Sequence, residues 1–343
     1  MSLKSPVRLR TISVAIRSCM KAAVHTQYGS PDVIQIRDIE KSVPGDNEVS
    51  IKVRAASVNP IDWHYLRGTP YIARIMFGLR KPKVTRLGID VAGRVEAVGR
   101  KVTQFKPGDD VFGTCRGAFA EYVCTPESTL IMKPDNVTFE QAAAAPVAAF
   151  TALQGLRGKG RIQPGHNVLI NGAAGGVGTF AVQIAKQFGA HVTGVCSTRN
   201  VDMVRSIGAD QVIDYTREDF ARSGGQLYDI IFDCFVNHSL SEYRRILKPQ
   251  GTYIIVGGPS DPWMIGAMAV PIKAFVLSRF VSQKFVMFIA SSVKEDLTTM
   301  RELLETERVR PVIDRRYRLN EVPGAIRYLE EGHARGKVVI TLD

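Results

Sequence analysis

Hydrophobic and polar positions alternate in short runs over the first third of the chain. In VSIKVRAASV, Val49, Ile51 and Val53 fall on one face with Ser50, Lys52 and Arg54 on the other, the period of two that a half-buried strand requires. Comparable runs recur at DVAGRVEAVG, KPGDDVFG and FAEYVCTP, with turn-forming residues between them. From Met20 to about Pro134 the pattern predicts a small β-barrel or sandwich.

The pattern then changes. TFEQAAAAPVAAFTALQGL is Ala-rich and reads as helix, and after it continuous apolar runs alternate with amphipathic ones. The apolar runs NVLING, HVTGVC, QVIDY, YDIIFDC and TYIIVGG read as strands, with helices such as TFAVQIAKQFG and VDMVRSIG between them. Strands without alternation, separated by helices, imply a parallel sheet covered on both faces. Toward the C-terminus, helices are predicted around RELLETE and EVPGAIRYLEEG, and a last strand, KVVITL, is expected to return to the first domain. The chain is thus expected to be an α/β protein of two domains, in keeping with its 343 residues.

The sharpest chemical signal is a strand, a glycine loop and a helix in succession: NVLI, then Asn171 through Gly178, then TFAVQIAKQFGA. Ala173–Gly178 reads A-x-G-x-x-G, so Ala174, Gly175, Gly176, Val177 and Gly178 are candidates to cradle a dinucleotide pyrophosphate. Glycines let the backbone approach the phosphates, and the helix N-terminus offers free N–H groups and a favourable dipole. At the end of the second strand, where an NAD enzyme places an acid against the ribose, the chain reads Cys196-Ser197-Thr198-Arg199-Asn200. Ser197 and Arg199 are suited to donate to a 2′-phosphate, which favours NADPH over NADH.

Composition refines this picture. Hydrophobic residues make up 45% and charged residues 23%, as in a globular protein with a substantial core. The net charge of +12 suits an anionic partner, and a phosphorylated cofactor is the economical one, because no recognition-helix or basic-aromatic pattern favours nucleic acid. Five scattered cysteines without a C-x-x-C pair suggest a reducing compartment, read here as the cytoplasm. Residues 1–19 carry no Asp or Glu and precede a second methionine, Met20, so they read as a disordered basic leader, an upstream start or an added tail. WMIGAMAVPIKAFVL is shorter than the roughly 20 residues a membrane span needs and holds Pro271 and Lys273, so it reads as a lid, subunit contact or buried helix. No G-x-S-x-G elbow, Walker loop or H-E-x-x-H helix competes.

Several ordered motifs together resemble the medium-chain dehydrogenase/reductase superfamily, specifically its zinc-independent quinone oxidoreductase branch. They are SVNPIDW, GIDVAGRVEAVG, FKPGDDVFG, the AAGGVG loop, IGAD, VIDY and the terminal GKVVI, Gly336 to Ile340. The resemblance implies a GroES-like β-barrel domain (20–145 and 290–343), a Rossmann domain with a doubly wound parallel sheet (146–289), a cofactor cleft between them and a homodimer. It also implies that Tyr215 lies at the adenosine end and that Val256 and Gly257 lie near the nicotinamide. Zinc alcohol dehydrogenases of the superfamily carry G-H-E-x-x-G where this chain has Gly88-Ile89-Asp90-Val91-Ala92-Gly93, and a ligand cysteine where it has Asn59. Three protein ligands for a catalytic zinc cannot be assembled from these positions.

Without a metal, alcohol oxidation lacks its Lewis acid, whereas hydride transfer to a quinone or enone places the developing charge on a conjugated oxygen that donors can stabilise. Asn59, His64 and Thr151 are the catalytic candidates, with Tyr65 as a cleft aromatic. Asn59 before Pro60 is also read as a turn residue and His64 as a structural histidine. Asp62 is expected to organise its loop, and Trp63 to line the pocket or pack the core. A zinc-free alcohol or aldehyde oxidoreductase, and an NADPH-binding regulatory or RNA-binding protein, remain as alternatives.

Overall fold

A computed structural model of the chain describes residues 19–71, 74–222, 226–257 and 281–342. Residues 1–18 of the leader and the apolar stretch at 263–277 lie outside the described residues. The first sheet is built on β3 (Glu48–Val58), an eleven-residue strand. Antiparallel neighbours flank it: β4 (Asp90–Val98) on one side, and on the other β6 (Tyr122–Pro126) at its first half and β15 (Lys337–Thr341) at its second. Beyond them lie β5 (Asp110–Thr114), β7 (Leu130–Met132) and β14 (Ile313–Arg318), giving the order β14-β15-β3-β4-β5-β7. A separate pair, β1 (Cys19–Val24) and β2 (Gln35–Glu40), lies outside this sheet.

The expected alternation holds in the first half of β3, where Val49, Ile51 and Val53 are buried. Ser50, assigned to the polar face, is buried as well: its cross-strand neighbours Ala97 on β4 and Cys124 on β6 flank it, and its hydroxyl donates to Glu96 Oε2 at 3.3 Å. Further along, Ala55 and Ala56 are both buried but in different cores: Ala55 joins the alanine-rich helices at 142–149, and Ala56 joins the barrel interior. Small side chains at this point let one strand serve two cores.

The second sheet is wholly parallel in the order β10-β9-β8-β11-β12-β13. Its strands are β8 (Asn167–Asn171), β9 (His191–Cys196), β10 (Gln211–Asp214), β11 (Tyr228–Asp233), β12 (Leu247–Ile255) and β13 (Lys284–Met287). Val168, Ile170, Ile230, Phe232 and Ile254 pack on one face with Phe180 and Ile184, while Leu169, Val195, Ile231 and Tyr253 pack on the other with Tyr243 and Phe285. Both faces are covered, which explains the continuous apolar runs. The chain enters at β8, winds outward to β10 and then crosses back to β11, so the order reverses between β8 and β11, and the crevice at their C-terminal ends is where such sheets bind ligands. The closing strand KVVITL does return to the first sheet, as β15 beside β3.

Candidate active site

The local sequence sets the first wall. β3 runs into Asn59, which is extended (φ −127°, ψ 157°) and precedes α1 (Pro60–Arg67), with Pro60 suited to the first helical turn. Asp62 Oδ2 accepts the Asn59 N–H at 2.8 Å and its Oδ1 accepts the Gly88 N–H at 2.9 Å, so Asp62 organises the loop as expected. Burial pushes the Asp62 carboxyl up to about 7, against the two backbone N–H bonds that favour its charged form.

The Asn59 side chain is committed inward. Its Nδ2 donates to Asp90 Oδ2 at 2.8 Å, and its Oδ1 accepts from Lys337 Nζ at 2.6 Å. Ser57 Oγ donates to Asp90 Oδ2 at 2.6 Å, Lys337 Nζ lies 3.4 Å from the same oxygen, and the Val147 N–H donates to Oδ1 at 2.9 Å. Asp90 is 0% exposed and Lys337 3%. Burial lowers the Lys337 ammonium below the usual lysine range while Asp90 opposes that shift. Val147 opens α4 (Pro146–Leu153), and Thr151 on the same helix donates to the Val147 carbonyl at 2.7 Å. Asn59 and Thr151 are thus linked indirectly, through Asp90 and the Val147 peptide of α4. His64 stands apart from that knot: it stacks on Trp63 at 3.7 Å and pairs Nδ1 with the Thr69 carbonyl at 3.0 Å. A carbonyl only accepts, so Nδ1 carries the hydrogen, and burial lowers the ring's pKa, which leaves Nε2 an acceptor.

The second wall is the glycine loop. Ala174 and Gly178 are buried on its underside, whereas Gly175, Gly176 and Val177 are half-exposed before and within the first turn of α5 (Gly176–Gln187). A Cβ on Gly178 would stand 2.1 Å from the Gly172 carbonyl oxygen, so only glycine lets the helix start this close to the turn. Gly175 pairs with Gly336, and the aliphatic stem of Lys337 passes beside Gly176. The cradle therefore fits a pyrophosphate: small residues leave space at Gly175 and Gly176, and a helix N-terminus stands behind it.

Past the end of β9, Asn200 Nδ2 donates to Ser197 Oγ at 3.2 Å and leaves the buried Asn200 Oδ1 without a partner. Thr198 donates to Asp214 Oδ2 at 2.6 Å, which commits that hydroxyl. Arg199 donates to the His333 carbonyl at 3.0 Å, and Arg335 donates to the Arg199 carbonyl at 3.2 Å. Tyr215 is 54% exposed beside them, its N–H on the Cys196 carbonyl. Past the end of β12, the N–H groups of Val256 and Gly257 both donate to the Asp233 carbonyl, at 2.9 and 3.3 Å. Asp233 is buried, and its carboxylate accepts from Asn171 Nδ2 at 2.8 Å and Tyr253 Oη at 2.7 Å, which ties together the strands either side of the reversal.

The residues that motif reading missed are Asp90, Lys337 and Arg335. The first two sit inside GIDVAGRVEAVG and GKVVI, where a charge within an apolar run was the available signal; nothing local marked Arg335. No group of three His, Cys, Asp or Glu able to hold a metal occurs among the described residues.

Family models describe the same two halves: an alcohol dehydrogenase GroES-like domain matches residues 45–135 and a zinc-binding dehydrogenase model matches 207–340. The chain is 34% identical to the mouse mitochondrial NAD(P)H oxidoreductase RTN4IP1, over 99% of this chain and 93% of that protein. It is also 34% identical to the 2-methylene-furan-3-one reductase of Solanum lycopersicum, over 96% of this chain and 80% of that one. Among solved structures, the quinone oxidoreductase from Coxiella burnetii superposes with a TM-score of 0.83 at 32% identity, covering 95% of this chain and all (100%) of that one.

Two outcomes follow from the buried knot. Lys337→Met strips Asp90 of its ammonium in a dry site and should cost about 3–5 kcal/mol in urea unfolding. The pair Asp90→Asn with Lys337→Met should cost clearly less than the two single losses summed; strict additivity would sink the ion-pair account. Asp62 holds its proton in the fold up to about pH 7 while an unfolded chain loses it near pH 4. Its stabilising contribution is whole below about pH 4 and is lost as pH rises to about 7, by up to about 1.4 kcal/mol per pH unit. Thermal unfolding of Asp62→Asn across that window should lack this decline, and a parallel decline in both proteins would assign it to other groups.

Proposed function

We propose a function for a chain that belongs to the medium-chain dehydrogenase/reductase superfamily, in its zinc-independent quinone oxidoreductase branch: it uses NADPH to reduce a quinone or an α,β-unsaturated carbonyl. The observation that carries the reading is the open glycine cradle before α5, set beside Arg199 on a segment 197–200 that holds no carboxylate, with Arg335 bonded to that segment from the far end of the chain. The nearby Asp214 is committed to Thr198 and Thr216 and is a poor partner for a ribose hydroxyl. Relatives named as an NAD(P)H oxidoreductase, a 2-methylene-furan-3-one reductase and a quinone oxidoreductase support the acceptor class, since both named acceptors conjugate a double bond with a carbonyl.

When bound, the nicotinamide supplies a hydride to the electron-poor carbon of the acceptor. Gly176 and Val177 hold the pyrophosphate on backbone N–H groups at the start of α5, while Gly175, whose own N–H is paired with the Gly172 carbonyl at 3.0 Å, leaves room for the close approach, and Ala174 and Gly178 shape the turn. Ser197, Arg199 and Arg335 take the 2′-phosphate, Thr198 and Asn200 shape their turn, and Tyr215 covers the adenosine. Val256 and Gly257, whose N–H groups are already paired, border the nicotinamide. Asn59 is a positioning residue, because both ends of its amide are held by Asp90 and Lys337. Thr151 lines the wall above it. His64 offers an acceptor nitrogen, so the proton that completes the reduction comes from water. The enzyme acts as a homodimer in a reducing compartment such as the cytoplasm, in keeping with the buried thiols of Cys115 and Cys196.

Purified protein should oxidise NADPH with a quinone and with an α,β-unsaturated ketone at rates that chelator treatment leaves unchanged. Tight NADPH binding with no turnover across a panel of both acceptors would overturn this function in favour of a regulatory one. Arg199→Glu and Arg335→Glu should each raise KM for NADPH by about ten- to a hundredfold while moving KM for NADH by less than about threefold. Equal effects on the two cofactors would remove the 2′-phosphate assignment.

A further inference from the structure

Beside α1, a short helix, α2 (Arg74–Phe77), and the turn after it form a projecting tip. Ile75, Met76 and Leu79 are 65, 75 and 71% exposed, and Arg80, Lys81 and Lys83 next to them are exposed as well. The tip is built, because its base is fastened at five points. Arg74 donates to the carbonyls of Gly68 and Arg67 at 2.9 and 3.1 Å and lies over the Tyr28 ring. Tyr28 Oη donates to the Gly78 carbonyl at 2.6 Å, and the Phe77 ring turns inward against Tyr65 at 4.2 Å. Gly78 has φ +119°, and a Cβ there would stand 2.0 Å from the Lys81 carbonyl oxygen, so a tight turn held by glycine points Leu79 outward. Three large apolar side chains are therefore held in solvent by a braced turn and ringed by three cations within four residues.

We propose that this tip docks the protein on an anionic lipid bilayer. Apolar side chains flanked by Lys and Arg match the boundary between acyl chains and acidic headgroups: the former enter the hydrocarbon edge, and the latter meet lipid phosphates. A second copy of the chain fits less well, because a two-fold contact sets each patch against itself and brings Arg80, Lys81 and Lys83 onto their own kind. Nucleic acid would use the cations but leave Ile75, Met76 and Leu79 in water. Phe77 connects the tip to Tyr65 on α1, the helix that carries His64, so a docked enzyme faces its acceptor side toward the lipid. This rests on the quinone reading and narrows its acceptor to one dissolved in the membrane.

Co-sedimentation of the full chain with phosphatidylcholine vesicles, with and without phosphatidylglycerol, tests it. Binding is expected only to the anionic vesicles and should fall with added salt. Arg80→Glu/Lys81→Glu/Lys83→Glu should weaken it by about a hundredfold, at about fivefold for each cation. Ile75→Ser/Met76→Ser/Leu79→Ser should weaken it by about tenfold or more. Both variants should retain NADPH turnover with a water-soluble quinone. Failure of the parent protein to sediment, sedimentation unchanged in both variants, or a dimer in gel filtration that the serine variant converts to monomer would each overturn the docking surface. Vesicle binding is read without substrate, so its loss leaves soluble-quinone turnover untouched, and a protein that sediments but does not turn over keeps the docking surface while losing the quinone reading.

Discussion

A carboxylate removed from water must find every partner it needs within the fold, and Asp90 is such a group: 0% exposed, on a central strand. Its two oxygens draw in Ser57 and Asn59 from the end of β3, the Val147 N–H of α4, and the ammonium of Lys337 from the last strand. Ser57 and Asn59 are neighbours, but α4 and Lys337 come from far along the chain. An unpaired charge here is costly, so β3, β4, α4 and β15 are held to one arrangement. Since the stem of Lys337 also runs beside Gly176, the same knot sets where the glycine loop stands against the barrel sheet.

Around that anchor, the cleft is made by close backbone approach. Gly178 against the Gly172 carbonyl and Gly257 against the Cys234 carbonyl each leave no room for a side chain, at 2.1 Å in both cases. The result is a sheet whose C-terminal edge offers backbone and small residues while its interior carries the bulky ones. A second buried carboxylate, Asp233, repeats the device across the strand reversal, holding Asn171 and Tyr253 from either side. Asp90 and Asp233 thus stand where two sheets, or the two halves of one parallel sheet, must be kept in register.

Positive charge is divided by task. Lys337 is dry and paired, which makes it a fixed element of the scaffold. Arg199 and Arg335 are exposed and donate one guanidinium bond each to a backbone carbonyl; the proposed function gives them the 2′-phosphate, which geometry as well as charge would select. Arg80, Lys81 and Lys83 are solvated and suit a diffuse anionic surface. The chain's net charge of +12 is therefore not one feature but several, with different desolvation and different partners.

The two-domain α/β architecture and the glycine loop between β8 and α5 were legible in the sequence because they rest on local rules. Period-two alternation, apolar runs between helices and glycines before a helix N-terminus depend on neighbours within about ten residues. The absence of an acid at 197–200 is local in the same way. What Asn59 does was not legible, because its amide is claimed by Asp90, 31 residues away, and by Lys337, 278 away. Ser50 broke its strand's alternation, and Arg335 joined Arg199, for the same reason: burial and pairing across a fold are set by which distant segments meet. Sequence by itself determined the elements and the chemistry of the loop; tertiary structure decided which polar groups are used up inside the scaffold and which are left to face a ligand.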